Sequence, residues 1–220
     1  MPGYGDAEAI EPLTYPTIAR RLVDLLDMLG LETATLIGLS FGGMQALHTA
    51  LEFPDRVSRL VIADSSPKFG IDGTTSEDWT RSRLEPIDSG GTPADSAELI
   101  IDAITEVRLA GAARAEIVES FGRISPRGFR AAVACLPTND VIDRLGDIQQ
   151  PTMVIVGELD KETPIHYSQL LVDGIPNSRL HVIPGVGHLT PAEAPREFNQ
   201  LVAGFLSRKG KTPEAEGFLE

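Results

Sequence analysis

The segment Gly38-Leu39-Ser40-Phe41-Gly42-Gly43 constrains the fold of this chain more than any other feature of its sequence. It follows the apolar run at residues 35–37 and precedes residues that suit a helix, as a G-x-S-x-G turn between a strand and a helix does. Its three glycines tolerate the unusual dihedral angles and the close backbone approach that such a turn needs. The segment therefore predicts that Ser40 is a nucleophile exposed above the carboxyl end of a strand.

The composition limits the classes of protein to which the chain can belong. Its 220 residues suffice for one α/β domain with a substantial core, and its net charge of −13 disfavours nucleic acid as a partner. No apolar run approaches a membrane span of about 18 residues, and the first residues do not resemble a signal peptide. Cys135 is the single cysteine, which excludes an internal disulfide. We expect a cytoplasmic protein that binds neither nucleic acid nor membrane.

Four short apolar runs predict a parallel, doubly wound α/β sheet. These runs cover residues 34–38, 59–63, 152–156 and 180–183. Segments with helical spacing of apolar residues separate them. An amphipathic helix is predicted before the first strand, at residues 17–29, and a last helix at residues 191–206.

Between Pro67 and Gln150 the pattern changes to helices without strands. Helical periodicity covers residues 94–110, 112–123 and 125–136, whereas residues 68–91 are polar and interrupted by glycines. We interpret this region as a helical cap inserted over the carboxyl edge of the sheet. The predicted organisation is a first core part at residues 1–66, the cap at 67–148, a second core part at 149–208 and a flexible tail at 209–220.

Ser40 needs a general base, because a serine hydroxyl is a weak nucleophile at neutral pH. His188 lies in a glycine-rich loop between the last predicted strand and the last helix, from which its ring can reach Ser40. A surface histidine is the alternative interpretation of this residue. The remaining histidines suit structural or solvent-facing roles better: they are His48, His166 and His181.

The base in turn needs an acid that orients it. Asp160 lies just beyond the carboxyl end of the strand at residues 152–156, where its carboxylate can accept the imidazole N–H. Glu158 and Asp64 also lie near the ends of strands and are alternatives, although each suits a loop or cap role. The chain order of nucleophile, acid and base is Ser, Asp, His, which distinguishes one class of serine hydrolases from the others.

With these residues in place, the chain resembles the carboxyl-terminal three-quarters of an α/β hydrolase, from about residue 2 to residue 206. The strongest blocks are residues 38–43, 151–164 and 183–195. Residues 129–135, followed by Asp140 and Leu145, resemble the 3-oxoadipate enol-lactonases, and similar segments recur in esterases and carbon–carbon bond hydrolases of this fold. The resemblance implies an α/β-hydrolase fold and an acyl-enzyme formed from a small ester or lactone.

The resemblance also implies that four strands of the family precede the part seen here. One of them leads into the loop that donates a second oxyanion N–H, so the backbone N–H of Phe41 is the one donor that can be proposed. The strand at residues 34–38 then becomes an exposed apolar edge, which favours self-association or a homo-oligomer. A start codon placed too late, a gene remnant and completion by a partner chain are the three explanations.

Residues of the cap are expected to select the substrate. The aromatic candidates for the walls of a pocket are Trp79, Phe121 and Phe129. A substrate carboxylate would need an arginine partner, for which there are four candidates: Arg81, Arg83, Arg127 and Arg130. A position on a solvated helix face is the alternative explanation of these arginines. No histidine or cysteine spacing typical of a metal site occurs, so we expect neither a metal nor a cofactor.

Two further hypotheses stay open. A hydrolase-shaped ligand-binding protein, or an inactive chain, would keep the three residues without a complete oxyanion hole. A carbon–carbon bond hydrolase or a cofactor-free perhydrolase would share both the fold and the nucleophile. Labelling with a fluorophosphonate distinguishes the first hypothesis from an esterase, and substrate profiling distinguishes the second.

Overall fold

The computed structural model describes residues 1–107, 109 and 111–207. The predicted flexible tail at residues 209–220 lies outside the described residues. The same is true of residue 208, with which the predicted second part of the core ends.

A parallel sheet forms the centre of the described structure. Its strands, each paired with the next, are β1 (Ala34–Leu39), β2 (Val57–Ala63), β3 (Thr152–Gly157) and β4 (Ser178–Ile183). Every residue of β3 is buried, as expected for a strand that is covered on both faces. The strand β1 lies at one edge of the described sheet, and its Ile37 is 50% exposed. The prediction of a four-stranded parallel α/β sheet is confirmed.

Helices pack against the sheet and fill the region between β2 and β3. In chain order they are α1 (Tyr15–Met28), α2 (Phe41–Glu52), α3 (Ser76–Asp88), α4 (Pro93–Ile104), α5 (Gly111–Gly122), α6 (Pro126–Cys135), α7 (Ile165–Gly174), α8 (Thr190–Glu193) and α9 (Pro195–Ser207). None of the helices in the described part of the chain is long and apolar enough to cross a membrane.

Two apolar clusters hold the sheet between layers of helices. Leu60 and Ile62 of β2 pack in the cluster that α2 and α7 cover. Val61 and Ala63 of the same strand belong to the cluster that α9 covers. Successive residues of a strand point to opposite faces, so this alternation places helices on both sides of the sheet. Full burial of a leucine or isoleucine contributes about 1.5–3 kcal/mol, which makes the sheet a firm platform for the loops at its carboxyl edge.

Some helices differ from what the sequence predicts. The helix predicted at residues 191–206 is divided between α8 and α9, because Pro195 lacks an amide hydrogen and disfavours a helical conformation at Ala194 (φ −133°, ψ 59°). Helix α3 lies inside the polar, glycine-containing segment 68–91. Its signal was the cap at Thr75, whose hydroxyl accepts the N–H of Asp78 at 3.1 Å.

The helices α3 to α6 occupy the segment that we interpret as a cap. Helix α3 packs on α6, and α4 packs on α5. The helix predicted at residues 94–110 ends at Ile104, because Thr105 adopts an extended conformation (φ −109°, ψ 141°). The chain then returns to the core, where the carbonyl of Ile104 accepts the backbone N–H of His188 at 3.0 Å. The end of α4 therefore touches the loop between β4 and α8.

Candidate active site

Ser40 occupies a sharp turn between β1 and α2. Its dihedral angles, φ 53° and ψ −117°, lie outside the regions that residues other than glycine normally adopt, so the neighbouring contacts must hold this conformation. Its N–H donates to the carbonyl of Ala63 at 2.8 Å. Its carbonyl accepts the hydroxyl of Ser65 at 2.7 Å. The end of β2 and the residues after it thus fix the backbone of the serine on both sides.

The glycines of this turn have different roles. A Cβ on Gly38 would lie 2.2 Å from the carbonyl oxygen of Gly42, and a Cβ on Gly43 would lie 2.6 Å from Oγ of Ser65. A Cβ on Gly42 would meet no atom of the described residues within 4 Å. Close approach therefore requires Gly38 and Gly43, and the expectation that Gly42 serves the same purpose is wrong.

The structure brings Ser40, Asp160 and His188 together at the carboxyl edge of the sheet. The Nε2 atom of His188 lies 2.8 Å from Oγ of Ser40. The Nδ1 atom lies 2.9 and 3.0 Å from the two carboxylate oxygens of Asp160. When Nδ1–H donates to the carboxylate, Nε2 is left to accept the hydrogen of the serine hydroxyl. The three side chains form one continuous row of hydrogen bonds, an arrangement in which an imidazole can take the proton of a serine hydroxyl.

Asp160 is held by its own loop. Its carboxylate accepts the backbone N–H groups of Glu162 at 2.9 Å and Thr163 at 3.0 Å, and the hydroxyl of Thr163 at 2.8 Å. Burial alone would raise the pKa of this carboxyl, but the hydrogen bonds from His188 and Thr163 outweigh it and hold the pKa below its usual value. Asp160 is consequently a carboxylate at neutral pH, ready to stabilise a positive imidazolium.

The interaction with Asp160 shifts the pKa of His188 in the opposite direction. Its side chain is almost fully buried, and burial alone would lower the pKa of the imidazole. The hydrogen bond and the negative charge of Asp160 outweigh burial and raise the pKa above the usual 6.5. The pair therefore favours proton uptake at Nε2, which is the step that a general base must perform.

The alternative acids hydrogen-bond to groups other than the imidazole. The carboxylate of Glu158 accepts the N–H of Gly185 at 2.9 Å. Asp64, the residue after β2, accepts the N–H of Gly157 at 3.0 Å, and the N–H and hydroxyl of Thr190 at 3.2 and 2.6 Å. Burial raises the pKa of Asp64 to about 7. Of the three candidate acids, Asp160 is the one that hydrogen-bonds to the imidazole.

The other histidines have structural surroundings. His48 stacks on Tyr15 with ring centroids 3.9 Å apart, and its Nε2 lies 3.1 Å from the side-chain oxygen of Asn139. His166 packs edge-on against Tyr167, which follows it in α7. His181 lies within β4, paired with β3. These positions agree with the structural roles that the sequence suggested.

A cavity of about 270 Å³ opens beside Ser40 and His188. Its walls include Trp79 and Arg83 of α3 and also Lys68, Phe69, Lys161 and Tyr167. The guanidinium of Arg83 lies 5.6 Å from the ring centroid of Trp79 and 3.2 Å from a carboxylate oxygen of Glu162. Apolar rings and paired cations thus stand together around the space above the serine.

The predicted wall residues are only partly those of the cavity. Trp79 lines the cavity. The part of the chain that the structure describes also includes Arg81, Phe121 and Phe129, and these three do not line it. Arg81 points to solvent and pairs with Asp78 one turn earlier in the same helix. Phe121 and Phe129 pack edge to face on each other, with centroids 6.1 Å apart. Sequence reasoning missed the loop residues Lys68 and Phe69, whose proximity to the serine depends on tertiary structure alone.

Two of the remaining arginine candidates are engaged elsewhere. Arg127 pairs with Glu11, and Arg130 pairs with Asp88.

Phe41 is the first residue of α2, so its N–H belongs to the donors that a helix leaves without an intrahelical acceptor. Among the residues that the structure describes, no group of three His, Cys, Asp or Glu side chains is placed to hold a metal ion.

The chain is similar to known hydrolases over most of its length. The sequence model described as "Alpha/beta hydrolase family" matches residues 1–201. The 2-hydroxymuconate semialdehyde hydrolase of Pseudomonas putida is 31% identical, over 93% of this chain and 73% of that protein. The 3-oxoadipate enol-lactonase 1 of Acinetobacter baylyi is 26% identical, over 93% and 75%. A thermophilic esterase structure from Thermogutta terrifontis has a TM-score of 0.80 and 27% identity, over 93% and 76%.

Proposed function

Because the chain belongs to the alpha/beta hydrolase family, we propose that it is a serine hydrolase that cleaves a small ester or lactone through an acyl-enzyme. The observation that carries this proposal is the hydrogen-bonded row of Ser40, His188 and Asp160, with contacts of 2.8 and 2.9 Å, beside a cavity. In this proposal the three residues are the nucleophile, the general base and the acid that orients it.

The first half of the reaction forms the acyl-enzyme. Oγ of Ser40 attacks the carbonyl carbon of the substrate while its proton passes to Nε2 of His188. Asp160 stabilises the imidazolium, and the N–H of Phe41 donates to the oxygen that becomes negative. When the tetrahedral intermediate collapses, the bond to the leaving oxygen breaks and His188 returns the proton to that oxygen. In a lactone the resulting alcohol stays attached to the acyl group.

The second half restores the enzyme. A water molecule attacks the carbonyl carbon of the acyl group on Ser40, and His188 accepts the proton that the water loses. The tetrahedral intermediate then expels Oγ of Ser40, which takes the proton back from the imidazolium. The products are a carboxylic acid and the free serine. Every proton passes through Nε2, so no further titratable group is needed.

The cavity supports a small substrate. Its volume of about 270 Å³ suits a compact ligand, and Phe69, Trp79 and Tyr167 supply apolar surface. Arg83 is the one of the four candidate arginines that lines it, and its present partner is the half-exposed Glu162. We propose that a substrate with a carboxylate would use Arg83, which can bind the two carboxylate oxygens side by side.

A carbon–carbon bond hydrolase is the second candidate. The 31% identity to a 2-hydroxymuconate semialdehyde hydrolase over 93% of this chain favours it. Such a function would use the same cavity and the same row of three side chains. Substrate preference therefore separates the two candidates, and loss of Ser40 does not.

The test is labelling with a fluorophosphonate together with turnover of 4-nitrophenyl acetate, a five-membered lactone and a 2-hydroxy-6-oxodienoate. We expect one phosphonyl group on the peptide that contains Ser40, and neither labelling nor turnover in Ser40→Ala. Ser58→Ala removes an exposed hydroxyl and is the matched control. Turnover that survives in Ser40→Ala, or a wild-type chain that is folded but not labelled, would refute the serine hydrolase. Turnover of the dienoate alone would favour the second candidate.

A further inference from the structure

Glu193 is a buried carboxylate that the proposed reaction does not use. It lies at the end of α8 and is 9% exposed. Its Oε2 atom accepts the backbone N–H groups of Glu106 and Val107, each at 2.8 Å, and of Gly187 at 3.0 Å. Its Oε1 atom accepts the N–H of Leu189 at 3.0 Å. One side chain therefore satisfies four backbone donors.

These donors come from two segments that are distant in the chain. Gly187 and Leu189 flank His188 in the loop after β4. Glu106 and Val107 belong to the connection that follows α4 in the cap. His188 itself donates its backbone N–H to the carbonyl of Ile104 at 3.0 Å. The backbone of the histidine is thus held from both sides by Glu193 and from a third direction by the end of α4.

The two segments are in direct contact. A Cβ on Gly187 would lie 3.0 Å from both the amide nitrogen of Glu106 and the carbonyl oxygen of Ile104, so the connection packs directly on the histidine loop. The side chain of Glu106 also forms an ion pair with Lys161, which follows Asp160 in the chain. The connection after α4 consequently touches the loop of the base and the loop of the acid.

Loss of the carboxylate would disturb both segments together. Hydrogen bonds to a charged acceptor are stronger than those between neutral groups, and a buried N–H without an acceptor is costly. The affected loops would move to regain partners. A displacement of about 1 Å at reacting atoms can lower a rate by about 10²-fold.

On the basis of the serine hydrolase proposed above, we propose that Glu193 is a positioning residue that joins the cap to the general base. It fixes the backbone on both sides of His188 and fastens the 104–107 connection to the same loop. Contact of the cap with the core and the position of the imidazole then depend on the same side chain. A cap that lifts from the core would release the base from Ser40.

The experiment combines turnover with amide hydrogen exchange in the full chain. In Glu193→Ala we expect kcat per fluorophosphonate-titrated site to fall by about 10-fold or more, with KM for 4-nitrophenyl acetate nearly unchanged. Exchange should accelerate in both peptides, residues 103–107 and 185–190. Glu193→Gln keeps one acceptor oxygen and should recover part of kcat. Glu197→Ala, which removes an exposed carboxylate from α9, should change neither kcat per titrated site nor the exchange of the two peptides.

A second control separates positioning from general stability. Ile175→Ala removes a fully buried side chain of one apolar cluster, whereas Val186 of the histidine loop belongs to the other cluster. It should therefore lower the melting temperature but leave kcat per titrated site unchanged. The proposal is overturned if Glu193→Ala keeps its kcat, or if exchange accelerates in residues 185–190 alone. A wild-type chain without serine labelling would refute the proposed function instead, and the exchange data would still decide whether Glu193 joins the two segments.

Discussion

Replacing Asp64 by asparagine should change how the stability of this protein depends on pH. Asp64 has no exposed surface and adopts a left-handed conformation with φ 46°, which asparagine tolerates better than most residues. An asparagine keeps the shape and retains an acceptor for the N–H of Gly157. Its amide nitrogen faces the N–H of Thr190, which adds a cost that is the same at every pH. The pH-dependent part of the comparison therefore reports the charge of Asp64.

The sign and the size follow from burial. The pKa of Asp64 rises from 3.8 to about 7 in the folded chain. An acid that binds its proton more tightly in the folded state favours folding at low pH, and this advantage is lost as the pH rises from about 4 to 7. Between the two pKa values of Asp64, each pH unit lowers the free energy of unfolding by about 1.4 kcal/mol. The loss between pH 5 and pH 8 is therefore about 3 kcal/mol. An asparagine at this position does not titrate, so its contribution to the free energy of unfolding does not change with pH.

Urea unfolding, followed by circular dichroism at pH 5, 6, 7 and 8, measures this effect. We expect the free energy of unfolding of the wild type, relative to Asp64→Asn, to fall by about 3 kcal/mol from pH 5 to pH 8. Leu171→Ala is the control without a titratable group, and it should lose about 2–5 kcal/mol equally at each pH. A difference between wild type and Asp64→Asn that stays constant, or that grows with pH, would refute the reasoning.

Two further predictions concern the turn and the base. Gly42→Ala should raise the free energy of unfolding by about 0.5–1 kcal/mol, because the position is helical and its Cβ meets nothing, whereas Gly38→Ala should lower it by about 1–3 kcal/mol through its contact with the carbonyl of Gly42. Urea unfolding of both variants measures this, and equal effects would contradict the steric account. Turnover should fall at acid pH as His188 takes up its proton, with the half-maximal point above pH 6.5 because Asp160 raises the pKa of the imidazole. A pH profile of kcat/KM with its acid midpoint below 6.5 would contradict that assignment.

The proposed chemistry could be predicted from the sequence because its signals are local. A strand that ends in Gly-x-Ser-x-Gly specifies the turn at Ser40 without reference to the rest of the chain. Asp160 and His188 each follow an apolar run, and the carboxyl ends of parallel strands lie at one edge of the sheet. Strand order alone therefore predicted that these side chains lie near each other.

The cavity wall could not be predicted in the same way. Phe69 and Tyr167 reach the space above the serine from a loop and from α7, and no periodicity links them. Phe121 of α5 and Phe129 of α6 have the residue type expected of a wall, but their rings pack edge to face on each other instead. Residue type shows what a side chain can contact, and tertiary packing decides which contact it makes.

The loop at residues 184–189 is held by acidic side chains other than Asp160, of which Glu158 is exposed and Glu193 is buried. Gly157, the last residue of β3, permits the loop to approach closely, since a Cβ on Gly157 would lie 2.1 Å from the carbonyl oxygen of Gly187. A loop outside the sheet, however, leaves backbone N–H groups that need acceptors. Acidic side chains supply them at successive points: Glu158 for Gly185, and Glu193 for Gly187 and Leu189. Asp64 does the same for Thr190, the first residue of α8, which follows the loop directly.

Each of these acceptors comes from a different part of the fold. Glu158 follows β3, Asp64 follows β2, and Glu193 ends α8. The loop that carries His188, together with the start of α8, is thus fastened to three separate elements. Hydrogen bonds to carboxyl oxygens are directional, whereas apolar contacts with a glycine-rich loop would be few and would not fix its register. The acidic composition of the chain thus has a local use in addition to solubility. Removal of any one of these carboxylates should loosen the loop at its own end, and Glu193 is the one whose removal would also free the cap.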